Sequence, residues 1–174
     1  MPNYISQMWM RSKDGGVVAM LYGPGSLQTT VGAGDTPVTI TAQTRYPYQE
    51  SVEFSVQPAE AVSFPFSLRI PGWCNRASLA LNGQAVESDL QPGTFFTLNR
   101  EWQPGDVVRL DLPFELAMEH WPKNGVSLTY GPLTLALPIP ARAEIEVENS
   151  TILQRQTTLG DKYEPRPIVV KAEF

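Results

Sequence analysis

Apolar and polar positions alternate in short runs along the first 140 residues. Phe66, Leu68 and Ile70 alternate with Ser67 and Arg69, and a period of two puts the apolar three on one face. Pro71-Gly72 stops that strand, and Trp73 follows. Its expected role is to cover the strand end, with sugar stacking as the alternative. Val38, Ile40 and Ala42 alternate with Thr39 and Thr41, and Val52, Phe54 and Val56 with Glu53 and Ser55. Val108, Leu110 and Leu112 alternate with Arg109 and Asp111. Each run predicts a strand buried on one side. Phe66, Leu68, Ile70, Leu79, Leu81, Val108, Leu110 and Leu112 are the expected core.

Other stretches are less regular. Tyr4 to Met10 reads as a helix end or a first strand, Val17 to Tyr22 as a buried strand, and Leu27 to Val31 as a short one. The strand from Phe95 is expected to be buried on both faces at one end. Phe114 to Trp121, Val126 to Tyr130 and Leu133 to Leu137 complete the predicted set.

Turn chemistry separates the runs. Asn82-Gly83 is the strongest hairpin signal, because both positions accept a positive φ. Lys13 to Gly16, Gln91-Pro92-Gly93 and Gln103-Pro104-Gly105-Asp106 are further turns. About a dozen short strands without helical crossovers predict an all-β fold, an antiparallel, jelly-roll-like β-sandwich. The expected organisation is a lead-in segment with a first strand at 1–16, the sandwich at 17–140 and a peripheral C-terminal segment at 141–174. In that last segment Ala143 to Val147 alternates with glutamates, and large apolar residues return only at Ile168 to Val170.

Composition narrows the function classes. Apolar residues make up 42% of the 174, enough for a core, and 16 prolines and 13 glycines fit a turn-rich β domain. The formal charge of −5 comes with no basic patch, which argues against nucleic acid and anionic membranes as partners. The sequence shows no signal peptide and no transmembrane segment, and localisation is not legible.

The chain has one cysteine, Cys74, and one histidine, His120, without companions at metal-ligand spacing. No metal site and no catalytic residue is assigned. Cys74 is expected to be an inert thiol. Glycoside hydrolysis needs paired carboxylates, for which Glu101, Asp106, Asp111, Glu115 and Glu119 are available. Asp106 is expected to bond the backbone of its own turn instead. Arg45, Tyr46, Tyr48, Trp73, Trp102 and Trp121 are the candidate contacts, either with a ligand or with a neighbouring domain.

Five stretches carry a resemblance. They are RYPY at Arg45 to Tyr48, FSLRIPGWC at Phe66 to Cys74, the Asn82-Gly83 turn, NREWQPGDVVRLDLP at Asn99 to Pro113, and VSLTYGPLTLAL at Val126 to Leu137. In order and spacing they resemble the β-sandwich portion of the β-L-arabinofuranosidase-like glycoside hydrolases, family 127. The resemblance spans roughly residues 4 to 140. It implies a partner, a helical catalytic barrel, and a plant-type glycan as ligand. It also implies zinc, held in the catalytic portion by cysteines and a glutamate, with one cysteine as nucleophile and a second glutamate as acid/base. Those residues belong to the barrel and to a paired-cysteine motif, neither of which is in this chain, so Cys74 inherits no role. The implied function is a non-catalytic accessory β-sandwich, and the chain alone is expected to be inactive. The alternatives are an autonomous carbohydrate-binding module and a small glycosidase using a pair such as Glu101 and Asp106.

Overall fold

The computed structural model describes residues 2–136; the segment expected at 141–174, the run Ala143 to Val147 and the run Ile168 to Val170 lie outside it. The chain starts with helix α1 (Pro2–Ile5) and strand β1 (Trp9–Arg11), so both readings of Tyr4 to Met10 hold in part. Strands β2 (Val17–Ala19), β3 (Gly25–Val31), β4 (Thr36–Gln43), β5 (Ser51–Pro58) and β6 (Val62–Arg69) follow. Then come β7 (Ser78–Leu81), β8 (Gln84–Ala85), β9 (Phe95–Trp102) and β10 (Asp106–Asp111). The last three are β11 (Leu116–Trp121), β12 (Gly125–Tyr130) and β13 (Leu133–Leu135).

The strands form three sheets, ordered β1-β2-β6-β9, β3-β4-β5-β10-β7-β8 and β11-β12-β13. One pairing departs from the antiparallel expectation: β2 runs parallel to β6, with Val17 opposite Phe66 and Ala19 opposite Leu68. The chain leaves β2 at one end of the sheet and returns only after β3, β4 and β5 have been laid down in the other sheet. A connection of that length permits a parallel return that a hairpin cannot make.

The four- and six-stranded sheets pack face to face. Alternation supplies the contact: β5 buries Val52, Phe54 and Val56, β6 buries Phe64, Phe66 and Leu68, and β10 buries Val108 and Leu110. Aromatic rings bridge the layers. Phe54 of β5 meets Phe66 of β6 edge-on at 5.5 Å and Trp9 of β1 edge-on at 5.9 Å. Of the eight expected core residues, seven are buried and Leu81 packs against the core while partly exposed. β9 differs from expectation. Its inward positions are Phe96, Leu98, Arg100 and Trp102, and Phe95 is 47% exposed. The strand therefore keeps one solvated face throughout.

The Asn82-Gly83 hairpin forms as predicted, with φ of 51° and 79°, and joins β7 to β8. Gly16 has a different constraint. A Cβ there would overlap the Pro65 carbonyl oxygen and lie 2.5 Å from the Pro65 Cγ. The turn before β2 thus sits directly on β6. Gly16→Ala is expected to cost about 1–3 kcal/mol by overpacking, read as a lower urea midpoint.

The third sheet is a meander. Leu116 pairs with Tyr130, Met118 with Leu128 and His120 with Val126, while Tyr130 and Leu128 also pair with Leu133 and Leu135. Directly paired residues share a face, so one face collects Leu116, Met118, His120, Val126, Leu128, Tyr130, Leu133 and Leu135. Five of the seven apolar residues among these are exposed by 40% or more. The strands expected over Phe114 to Trp121, Val126 to Tyr130 and Leu133 to Leu137 correspond to β11, β12 and β13, with Leu137 outside the described residues, but the sequence did not show that they leave the two-layer core.

Candidate functional site

The turn between β4 and β5 holds three of the candidate contacts. Side chains organise it locally. The Thr44 hydroxyl donates to the Ser51 carbonyl at 2.7 Å and accepts from the Tyr46 N–H at 2.9 Å. The Tyr48 N–H donates to the Arg45 carbonyl at 2.8 Å, and the Tyr46–Pro47 peptide is cis. Arg45 is exposed, and Tyr48 is 82% exposed. Tyr46 is half-buried, with its ring edge-on to Tyr22 at 5.9 Å, so it belongs more to the core rim than to a surface.

The tryptophans separate by environment. Trp73 is half-buried and stands edge-on to Phe114 at 5.5 Å, and Phe114 in turn meets Tyr130 at 5.5 Å. Trp121 is 59% exposed, and its Nε1–H donates to the Ser127 hydroxyl at 2.9 Å. Trp102 has no exposed surface, and its Nε1–H donates to the Phe64 carbonyl at 2.9 Å. Trp102 is therefore withdrawn as a ligand or domain contact, because a ring enclosed on all sides offers no face to a sugar. The inward alternation of Leu98 and Trp102 was the available signal.

Asp106 is 6% exposed at the start of β10. Its carboxylate accepts from the Gln103 N–H at 2.9 Å, as the turn reading expected. It also accepts from the Asn82 side-chain amide at 2.7 Å and pairs with Arg100 at 3.3 Å. Asn82 completes a bracket, its carbonyl oxygen accepting from the Val107 N–H at 2.8 Å. Glu101 faces outward from β9, so it and Asp106 do not form an acid/nucleophile pair. Glu115 pairs with Arg76 at 2.8 Å, and Asp111 with Arg109 at 3.0 Å. Glu119 and His120 are exposed on β11.

Cys74 is 1% exposed, and its thiol donates to the Pro113 carbonyl at 3.9 Å. Burial pushes the thiol above its ordinary value of 9.0, the opposite of activation. Among the described residues no three His, Cys, Asp or Glu side chains group to hold a metal ion. The zinc implied by the resemblance has no fitting residues in that part of the chain.

Tyr22 gives the fold an alkaline limit. It is 2% exposed, its hydroxyl donates to the Arg69 carbonyl at 2.5 Å, and burial raises its pKa far above 10.0. Burial raises Tyr46 and Tyr4 as well. A group with a raised folded-state pKa contributes stability that is complete below its unfolded value and lost as pH rises toward the folded one. The urea midpoint is expected to hold to about pH 9 and fall above about pH 10. Tyr22→Phe should flatten the alkaline limb.

A buried two-sheet core joined by short, turn-rich connections defines an all-β domain. Comparison places it. Residues 16–114 match the family of the GH127 middle domain of β-L-arabinofuranosidase. The match covers more than half of the chain, and the chain belongs to that family. Among solved structures, a GH127 β-L-arabinofuranosidase from Geobacillus stearothermophilus T6 is 28% identical, with a TM-score of 0.67 over 74% of this chain and 21% of its own. A protein described as a glycoside hydrolase is 30% identical, with a TM-score of 0.66 over 73% of this chain and 22% of its own. A GH127 β-arabinofuranosidase at 24% identity shares the fold, with a TM-score of 0.60 over 71% of this chain and 22% of its own. The chain spans about a fifth of the length of these proteins. No curated protein matches.

Proposed function

We propose that this chain is the non-catalytic, jelly-roll-like β-sandwich of a β-L-arabinofuranosidase-like glycoside hydrolase, and that it packs against a helical catalytic barrel. The observation that carries this reading is the family match, over a chain that spans only about a fifth of its solved relatives. The face of β11, β12 and β13 supports it, because an apolar face of that extent is costly to leave in water. The carboxylates support it too. Asp106, Asp111 and Glu115 are engaged in ion pairs, and Glu101 lies on the solvated side of its strand.

The test is an aryl β-L-arabinofuranoside assay of the 174-residue chain, with and without zinc and a thiol reductant. No turnover is expected from the chain alone. Adding the helical portion of a GH127 relative should give more turnover than that portion gives by itself. Turnover by the chain alone, lost in Cys74→Ala or Glu101→Gln, would sink the proposal.

A further inference from the structure

The outward face of the six-stranded sheet carries a polar row. Gln43 on β4 lies opposite Glu53 on β5, and Glu53 lies opposite Arg109 on β10. All three are exposed, while their strand neighbours Ala42, Val52, Phe54, Val108 and Leu110 point into the core. Strand spacing makes the row about 10 Å long. The turn carrying Arg45 and Gln49 walls one side, leaving a groove of about 330 Å³, at the lower end of the size of small-molecule sites.

Some of these groups are already held in place. Gln49 accepts from the Arg45 N–H at 3.3 Å and donates to the Ser51 hydroxyl at 2.9 Å. The Arg109 Nε and one of its terminal nitrogens donate to Asp111 at 3.0–3.1 Å, which leaves the other terminal nitrogen without a partner among the described residues. Others are uncommitted. The side chains of Gln43, Arg45 and Glu53 make no hydrogen bond or ion pair among the described residues. The groove thus offers donors from Arg45, Arg109 and Gln43 beside acceptors from Glu53 and Gln43. Arg45 and Arg109 are balanced in formal charge by Glu53 in the lining and by Asp111, which pairs with Arg109, so an anion gains little. The lining has no apolar floor.

We infer that this groove is a binding subsite for a neutral sugar residue of a glycan chain. Mixed donors and acceptors along the row match the hydroxyl groups of a sugar, and balanced charge selects an uncharged polyol over a uronate or a phosphate. The inference rests on the chain serving a glycan-acting protein. The turnover assay with the helical portion tests that reading by itself, whatever the groove binds.

The experiment is an amide-resolved NMR titration of the 174-residue chain with neutral arabino-oligosaccharides, run in parallel with galacturonate and inorganic phosphate. Saturable shifts confined to residues 43–53 and to Arg109 are expected with the neutral sugar alone. Arg45→Ala and Gln43→Ala should each weaken binding about tenfold through a lost hydrogen bond. Thr39→Ala on the same sheet should leave binding unchanged, and all three variants should keep the native urea midpoint. The inference is overturned by an absence of saturation, by undiminished binding in Arg45→Ala, by shifts that map to Trp121 and Met118, or by tighter binding of galacturonate or phosphate.

Discussion

Trp102→Ala is expected to destabilise the domain by about 3–5 kcal/mol. The ring is fully enclosed, 5.6 Å from Phe64 and 5.9 Å from Phe66, with the Arg100 guanidinium 5.2 Å from its centroid. Truncation would open a cavity where the two sheets meet and remove the donor that satisfies the Phe64 carbonyl. Neighbouring rings are too large and too constrained to collapse into the space. Denaturant titration followed by circular dichroism should show the midpoint lowered with the slope unchanged. Trp121→Ala is the matched control. That ring is 59% exposed, and surface substitutions generally stay within about 0.5 kcal/mol. Equal losses in the two variants would refute this account of the core.

Asp106→Ala is expected to cost roughly 2–3 kcal/mol, because a single nearly buried carboxylate makes three charge-assisted contacts at once. The Asn82 amide, the Gln103 N–H and Arg100 all lose their acceptor together. These contacts tie the turn before β10 to the hairpin between β7 and β8 and to the edge of β9. Asp106→Asn keeps an acceptor oxygen and should lose less. Asn82→Ala breaks one arm of the same bracket, so the double variant with Asp106→Ala should lose less than the sum of the singles. Additive losses would show that the bracket does not act as a unit.

Much of this architecture was legible in one dimension, for a definite reason. A strand buried on one side must alternate with period two, and β4, β5, β6 and β10 do so without interruption. Asn82-Gly83 was legible because few residue pairs tolerate two successive positive φ angles. Asp106 was legible in part. Its bond to the Gln103 N–H spans three residues and follows from turn chemistry, but its bond to Asn82 spans 24.

The candidate surface was less legible. Arg45, Tyr48, Trp73 and Trp102 looked alike as aromatic or cationic residues near turns, yet Trp102 is enclosed and Tyr48 stands in water. Residue type reports what a side chain can contact, and only its surroundings decide what it does contact. The row of Gln43, Glu53 and Arg109 joins three strands separated by ten and by 56 positions. No local pattern marks it, because cross-strand neighbours are set by register.

The sequence by itself determined that the chain builds one-face-buried strands, where most of them turn, and which apolar residues form the core, because those properties follow from local sterics and from periodicity. Tertiary structure alone decided that β2 returns parallel beside β6, that Trp102 closes the core and that the polar row on the outer sheet comes together. It also decided that β11, β12 and β13 carry their apolar face outside the two-layer body. Each of these depends on which distant strands pair, and pairing is settled by the packing of whole sheets.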